Sequence, residues 1–337
     1  MAEKTLCIGV LGAARIVPTA LLKPALNNPE VAVTSLAARD PERARKFAAR
    51  HDIATVHTSY RALIEDARID AIYNPLPNGL HGYWTIAALQ AGKHVLCEKP
   101  FTANAEEAIK VADAARQSGL VVMEAFHYRY HALIERLLEI IASGELGRIR
   151  HIETWMCIPL PVKNIRWDLR LAGGAMMDVG CYAVHLLRTL AGAEPHVISA
   201  SAREKSPGVD RLLQARLEFE DGRSGSITAS MLSRRLLAIG ARVEGTDGTL
   251  QVSNPIMPQF RHRIVVRSNS GATRKEKVAR HPSTYAAQLQ AFADAVLRGK
   301  PFPTDCADAI ANMRVIDACY RAAGLPIREP TRVSEVA

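Results

Sequence analysis

Short apolar segments alternate with amphipathic stretches over the first 125 residues, and this alternation narrows the possible folds more than any other feature of the chain. The segments cover residues 6–11, 31–37, 70–74, 94–97 and 120–125. Strands this apolar need cover on both faces, and the intervening helices supply it, so the pattern predicts a parallel sheet wrapped by helices. The helix ends are marked locally. Asp40-Pro41 reads as an N-cap followed by proline at the first helical position, Asn104 with Glu106 and Glu107 opens another helix, and Gly92 and Gly119 close helices.

Beyond a helix predicted near 131–143 the texture changes. Longer strand-like segments at 149–158, 212–219, 225–231, 238–244 and 264–267 are separated by turns such as Glu220-Asp221-Gly222-Arg223 and Thr246-Asp247-Gly248. This predicts an antiparallel-rich sheet covered on one side by helices near 178–191, 285–297 and 307–322. The chain of 337 residues is long enough for two cores. The expected class is α/β, with a nucleotide-type domain over 1–125 and a substrate-binding and oligomerisation domain over 126–337. A sheet with one uncovered face suggests a homodimer or homotetramer formed through it.

Composition excludes several classes. No apolar run reaches the length of a membrane span, and the apolar stretch after Glu3 and Lys4 reads as a first strand rather than a secretory signal, so a cytoplasmic location is expected. Six cysteines, Cys7, Cys97, Cys157, Cys181, Cys306 and Cys319, form no Cys-x-x-Cys pair and read as reduced core thiols. The net charge is +9, but the basic residues are dispersed, and clusters such as Arg261-His262-Arg263 lack interleaved aromatics. The reading is therefore no nucleic acid, with a modest pull on an anionic small molecule. His127 and His131 lie one helical turn apart without a third ligand in view, and no metal is expected.

Four segments carry chemistry. The turn after the first strand, with Gly12, Ala13, Ala14, Arg15 and Ile16, is a glycine-poor version of a pyrophosphate-binding turn, in which alanine is still small enough for close approach. At the end of the second strand Asp40 is occupied as a helix cap, and Arg39 can pair with a 2'-phosphate and stack on adenine, which favours NADP while leaving NAD possible. The stiff loop 74–81 contains Pro75, Leu76, Asn78 and His81 and borders the same crevice. Glu98-Lys99-Pro100 ends a buried strand where open α/β sheets bind ligands, so Lys99 stands where a catalytic cation belongs.

The last segment is Gly173-Gly174-Ala175-Met176-Met177-Asp178-Val179-Gly180-Cys181-Tyr182. With a helix starting near Met176, Asp178 and Tyr182 would share one face. An alcohol must lose its proton before it surrenders hydride, and a phenol of pKa about 10 is a poor base unless a nearby ammonium stabilises the phenolate. Lys99 and Tyr182 make such a pair, and Asp178 can orient the substrate hydroxyl or fix the lysine.

In its Glu-Lys-Pro, Gly-Gly-x-x-x-Asp-x-Gly-x-Tyr and Pro-Asn-x-x-His motifs the chain resembles the Gfo/Idh/MocA oxidoreductase family over almost its whole length. The tyrosine at 182 is similar to the branch containing dimeric dihydrodiol dehydrogenase, glucose-fructose oxidoreductase and NADP-dependent xylose dehydrogenases. The resemblance implies an N-terminal Rossmann domain, a C-terminal domain with a large open sheet, and subunit association through that sheet. It also implies NAD(P)-dependent hydride transfer to or from a carbohydrate, polyol or cyclic vicinal diol. Carried over by position, Lys99, Tyr182 and Asp178 are catalytic, Asn78, His81 and Glu98 lie on the cofactor side, and Arg166 and Trp167 close over the nicotinamide or phosphate. The alternatives are a non-catalytic dinucleotide-binding sensor, against which the intact Lys99, Asp178 and Tyr182 argue, and a nicotinamide-assisted glycosidase.

Overall fold

The computed structural model describes residues 5–279 and 282–335; Glu3 and Lys4, used in the signal-peptide reading, lie outside these. The described residues form two compact units, one from 5–129, 285–310 and 330–335, the other from 130–279, 282–284 and 311–329. This division is discontinuous, unlike a single cut between 125 and 126.

The first unit is a six-stranded parallel sheet of β1 (Leu6–Leu11), β2 (Val31–Ala37), β3 (Thr55–His57), β4 (Ala71–Asn74), β5 (His94–Cys97) and β6 (Val122–Glu124). Its order is β3-β2-β1-β4-β5-β6, so the winding direction reverses between β1 and β4. In open sheets of this kind the crevice beyond the strand ends at that reversal is the ligand position. Helices α1 (Pro41–His51), α2 (His81–Gln90) and α3 (Ala105–Ser118) lie between strands. Asp40 caps α1 by accepting from the Glu42 and Arg43 amides, Asn104 caps α3 through the Glu107 amide, and Gly119 ends α3 in the left-handed region, as the sequence predicts.

The second unit begins at α4 (Ala132–Ala142), whose first turn is capped by His131. It contains β7 (Ile149–Cys157), α5 (Cys181–Ala191), β8 (His196–Ser206), β9 (Val209–Glu218), β10 (Ser224–Ser230), β11 (Ala238–Gly245), β12 (Gly248–Ser253), β13 (Arg263–Ser268) and β14 (Thr273–Glu276). The sheet order is β14-β13-β12-β11-β7-β10-β9-β8, with only β7 and β10 paired in parallel. Helix α5 packs against β7, where Thr154 donates to the Ala183 carbonyl across 2.8 Å.

One expected cover is corrected. The helix expected near 285–297 as cover for the second sheet spans Thr284–Arg298, and from Tyr285 onward it belongs to the first unit. Its Gln290 accepts from Asn28 at 3.1 Å and donates to Glu30 at 3.0 Å, and Arg298 pairs with Glu30. Helical periodicity shows that a helix has an apolar stripe, not which core receives it.

Candidate active site

At the reversal point β1 runs into Gly12, whose φ of +88° lies in the left-handed region and whose amide donates to the Ala37 carbonyl at 2.7 Å. A side chain there would be strained, and its Cβ would stand 3.1 Å from Leu76. Ala13 is buried and Ala14 half-buried, so the glycine-poor turn still presents a low profile. Arg43, which the sequence reading missed, donates from α1 to the Ala13 carbonyl at 2.7 Å and fixes the turn to the helix. Arg15, Arg43, Lys46 and Arg50 line a surface groove of about 580 Å³ beside it. With Asp40 engaged as the α1 cap, exposed Arg39 is the side chain at the β2 end suited to a phosphate. The left-handed glycine, small alanines and basic flank fit the phosphate groups of a dinucleotide.

The neighbouring loops converge around Lys99. Strand β5 ends at Cys97, the Glu98 amide donates to the Asn74 carbonyl at 3.0 Å, and the Lys99–Pro100 peptide is cis. Tyr73, on β4, donates to Glu98 Oε1 at 2.7 Å and holds that carboxylate at the crevice edge. His81 is fully enclosed, with Nδ1 2.7 Å from the Pro100 carbonyl and Nε2 2.7 Å from the Leu76 carbonyl. Burial, reinforced by the Lys99 ammonium and opposed by the two carbonyls, pulls its pKa down to about 4. The neutral ring has one N–H and so donates to one carbonyl at a time. Expected as a residue on the cofactor side, His81 is packed between the Leu76 and Pro100 carbonyls and donates to one of them.

His127, beyond β6, is buried with its ring centroid 4.0 Å from that of Tyr285. Burial first, then the Lys99 ammonium, lowers its pKa to about 3. Lys99 therefore shares its surroundings with two neutral histidines. Burial and the Glu98 carboxylate push the Tyr285 phenol up. Asn78 is half-buried at the start of a short 3-10 turn; the next residue, Gly79, accepts from the Thr331 amide at 2.7 Å and has no room for a Cβ beside Thr331.

In the second unit, Asp178 and Tyr182 are both buried, but the segment before α5 is not the α-turn expected. Met176–Gly180 is a π-helical turn running into α5, so the four-residue spacing does not place the two side chains one α-turn apart. Buried sulfur explains part of the local sequence: a Cβ on Gly180 would lie 2.4 Å from Met176 Sδ. Arg166 donates through Nε to Asp178 Oδ1 at 2.6 Å, and Trp167 donates from its indole to the Pro161 carbonyl at 2.9 Å. Both residues assigned to closing over the cofactor thus make these bonds inside the second unit. Lys99 belongs to the first unit and Tyr182 to the second.

Among the described residues no cluster of three or more His, Cys, Asp or Glu side chains could hold a metal ion, and no helix is long and apolar enough to cross a membrane. Tyr73 and Arg43 carried no sequence signal: Tyr73 is a single tyrosine in a short apolar strand, and Arg43 is one of several basic residues in a polar helix.

The profile described as "Oxidoreductase family, NAD-binding Rossmann fold" matches residues 6–126, and that of the GFO/IDH/MocA C-terminal domain matches residues 134–251. A D-xylose 1-dehydrogenase (NADP(+)) from Haloferax volcanii is 36% identical over 320 residues, covering 94% of this chain and 96% of the relative. A trans-1,2-dihydrobenzene-1,2-diol dehydrogenase from Macaca fuscata fuscata is 35% identical over 238 residues, 70% of each chain. The crystal structure of a 3-ketoreductase from Actinomadura kijaniata, in complex with NADP and TDP-benzene, superposes with a TM-score of 0.88 at 27% identity, covering 95% of this chain and 98% of that one.

Proposed function

Since the chain belongs to the Gfo/Idh/MocA family of nicotinamide-dependent oxidoreductases, we propose that it is an NADP-dependent enzyme interconverting a CH–OH and a C=O carbon of a sugar, polyol or cyclic vicinal diol. The observation that carries the site assignment is the setting of Lys99. Its ammonium lies at the carboxyl edge of the parallel sheet beside two histidines kept neutral by burial. A cation with no charged histidine competing for the same anion suits stabilisation of a phenolate or a ribose hydroxyl.

NADP, when bound, would supply the hydride acceptor or donor. In the oxidative direction Tyr182 takes the substrate hydroxyl proton as the C–H electron pair departs, and Lys99 lowers the cost of the phenolate that accepts it. Asp178, gripped by Arg166, orients the hydroxyl. Gly12, Ala13, Ala14, Arg15 and Ile16 would hold the pyrophosphate and Arg39 the 2'-phosphate, while Pro75, Leu76, Asn78 and Glu98 would lie on the nicotinamide side. Arg166 and Trp167 belong to the segment that covers it. The enzyme works in the cytoplasm as a homo-oligomer assembled through the second unit's sheet, whose edge strand β8 carries exposed Ile198.

The test is reduced-nicotinamide absorbance across aldoses, keto-sugars and dihydrodiols, with Tyr182→Phe as the key variant. Its turnover falls at least about 100-fold while NADPH binding persists. Near-normal turnover in Tyr182→Phe rejects the mechanism.

A further inference from the structure

The Gly173–Met176 segment that leads into the π-turn is held from behind by three residues outside every motif. Asp210, at the start of β9, accepts from the Met176 amide at 2.7 Å through Oδ2. Its Oδ1 accepts from the Tyr320 hydroxyl at 3.0 Å and from Arg328 Nη2 at 2.9 Å. Arg328 donates through Nε to the Gly173 carbonyl at 2.7 Å and lies over the Tyr320 ring, 4.0 Å from its centroid. All three side chains are 0% exposed. Gly174, between the two anchored positions, has φ +135° and no space for a Cβ, which would fall 2.1 Å from Asp210 Oδ1 and 2.7 Å from Arg328 Nη2.

Stability is a poor reason for such a group, since burying two ions costs several kcal/mol each and well-packed apolar side chains often stabilise as much or more. What apolar side chains cannot do is satisfy the Met176 amide, which begins the π-turn, and the Gly173 carbonyl just before it. Those two backbone groups are fixed within two and five residues of Asp178. We infer that Asp210, Arg328 and Tyr320 are positioning residues that set the π-turn and, through it, the placement of Asp178 and Tyr182 for proton transfer, an inference that rests on the function proposed above.

The experiment pairs kinetics with amide exchange on the full chain. Tyr320→Phe removes one hydroxyl and leaves the ring under Arg328; Asp210→Asn removes the charge. Tyr320→Phe is expected to lower kcat about 3–10-fold, and Asp210→Asn about 10–100-fold per folded molecule, with the KM for NADPH held within about threefold. Amide hydrogen exchange over 176–182 accelerates at least about tenfold in Asp210→Asn. If Asp210→Asn fails to fold, Tyr320→Phe alone carries both readouts. Unchanged kcat with unchanged exchange, or a fall in melting temperature with kcat per folded molecule intact, overturns the positioning role. A wild-type enzyme that turns over no carbohydrate or diol overturns the function instead, and the exchange result then decides whether the three residues set the π-turn.

Discussion

Arg166 and Asp178 meet through a 2.6 Å hydrogen bond from Nε to Oδ1, with the guanidinium side chain 44% exposed and the carboxylate side chain 11% exposed. An exposed arginine contributes little to stability through such a pair, but it fixes one carboxylate oxygen. Arg166→Ala should therefore leave the melting temperature within a few degrees and lower kcat/KM about tenfold, with partial recovery in Arg166→Lys. In a double-mutant cycle with Asp178→Asn the two losses should not add, the coupling being about 1–2 kcal/mol. Full additivity in steady-state kinetics would separate the two residues functionally.

In the proposed function the cofactor preference rests on Arg39, because Oδ1 of Asp40 accepts from the Glu42 and Arg43 amides. Arg39→Ala should raise the KM for NADPH about 10–100-fold, as expected for loss of a hydrogen bond to a charged group, and change the KM for NADH less than about threefold. Equal shifts for both cofactors, measured by initial rates, would mean that the arginine does not read the phosphate.

Most of this architecture was legible because its signals are local. The parallel sheet wrapped by helices follows from strand and helix alternation, and Asp40, Asn104 and Gly119 act as written. Strands β3, β8, β12 and β14 escaped notice. β3 has three residues, β8 and β14 are the two edges of the large sheet, where exposed polar side chains erase the alternation that marks an inner strand, and β12 is an inner strand whose apolar alternation rests on Leu250 and Val252 alone. At the site, motif residues were visible and their supports were not. Asp210 and Arg328 are separated by 118 positions and meet only after folding, and nothing in Val209-Asp210 tells a buried acceptor from a surface carboxylate. The π-turn was also hidden, since the same residues serve an α-turn by composition.

The paired glycines test how tightly the second motif is packed. A Cβ at Gly173 would lie 2.4 Å from the Arg166 carbonyl and 2.7 Å from that of Asp168, both backbone atoms with little freedom to move. Gly92 offers the contrast, having φ +77° but open space around it. Gly92→Ala should cost only about 1 kcal/mol from its left-handed backbone. Gly173→Ala should cost about 2–4 kcal/mol and displace Arg166 from Asp178, so urea denaturation and kcat should both suffer. Equal stability loss in the two variants would refute the close approach.

Acid sensitivity follows from the two buried histidines. His81 and His127 titrate near pH 6.5 in an unfolded chain but at about 4 and about 3 in the folded one. Between these values the unfolded chain binds more protons, so stability rises with pH there. The contribution is complete above pH 6.5 and is lost progressively as pH falls toward the folded values, at about 1.4 kcal/mol per pH unit for each histidine. His127→Phe keeps an aromatic ring against Tyr285 and removes one titrating group. Urea unfolding between about pH 6 and pH 4.5 should then show a slope against pH that is shallower by that one-histidine amount. A wild-type slope in this variant would place the His127 ring in water, in conflict with its 2% exposure.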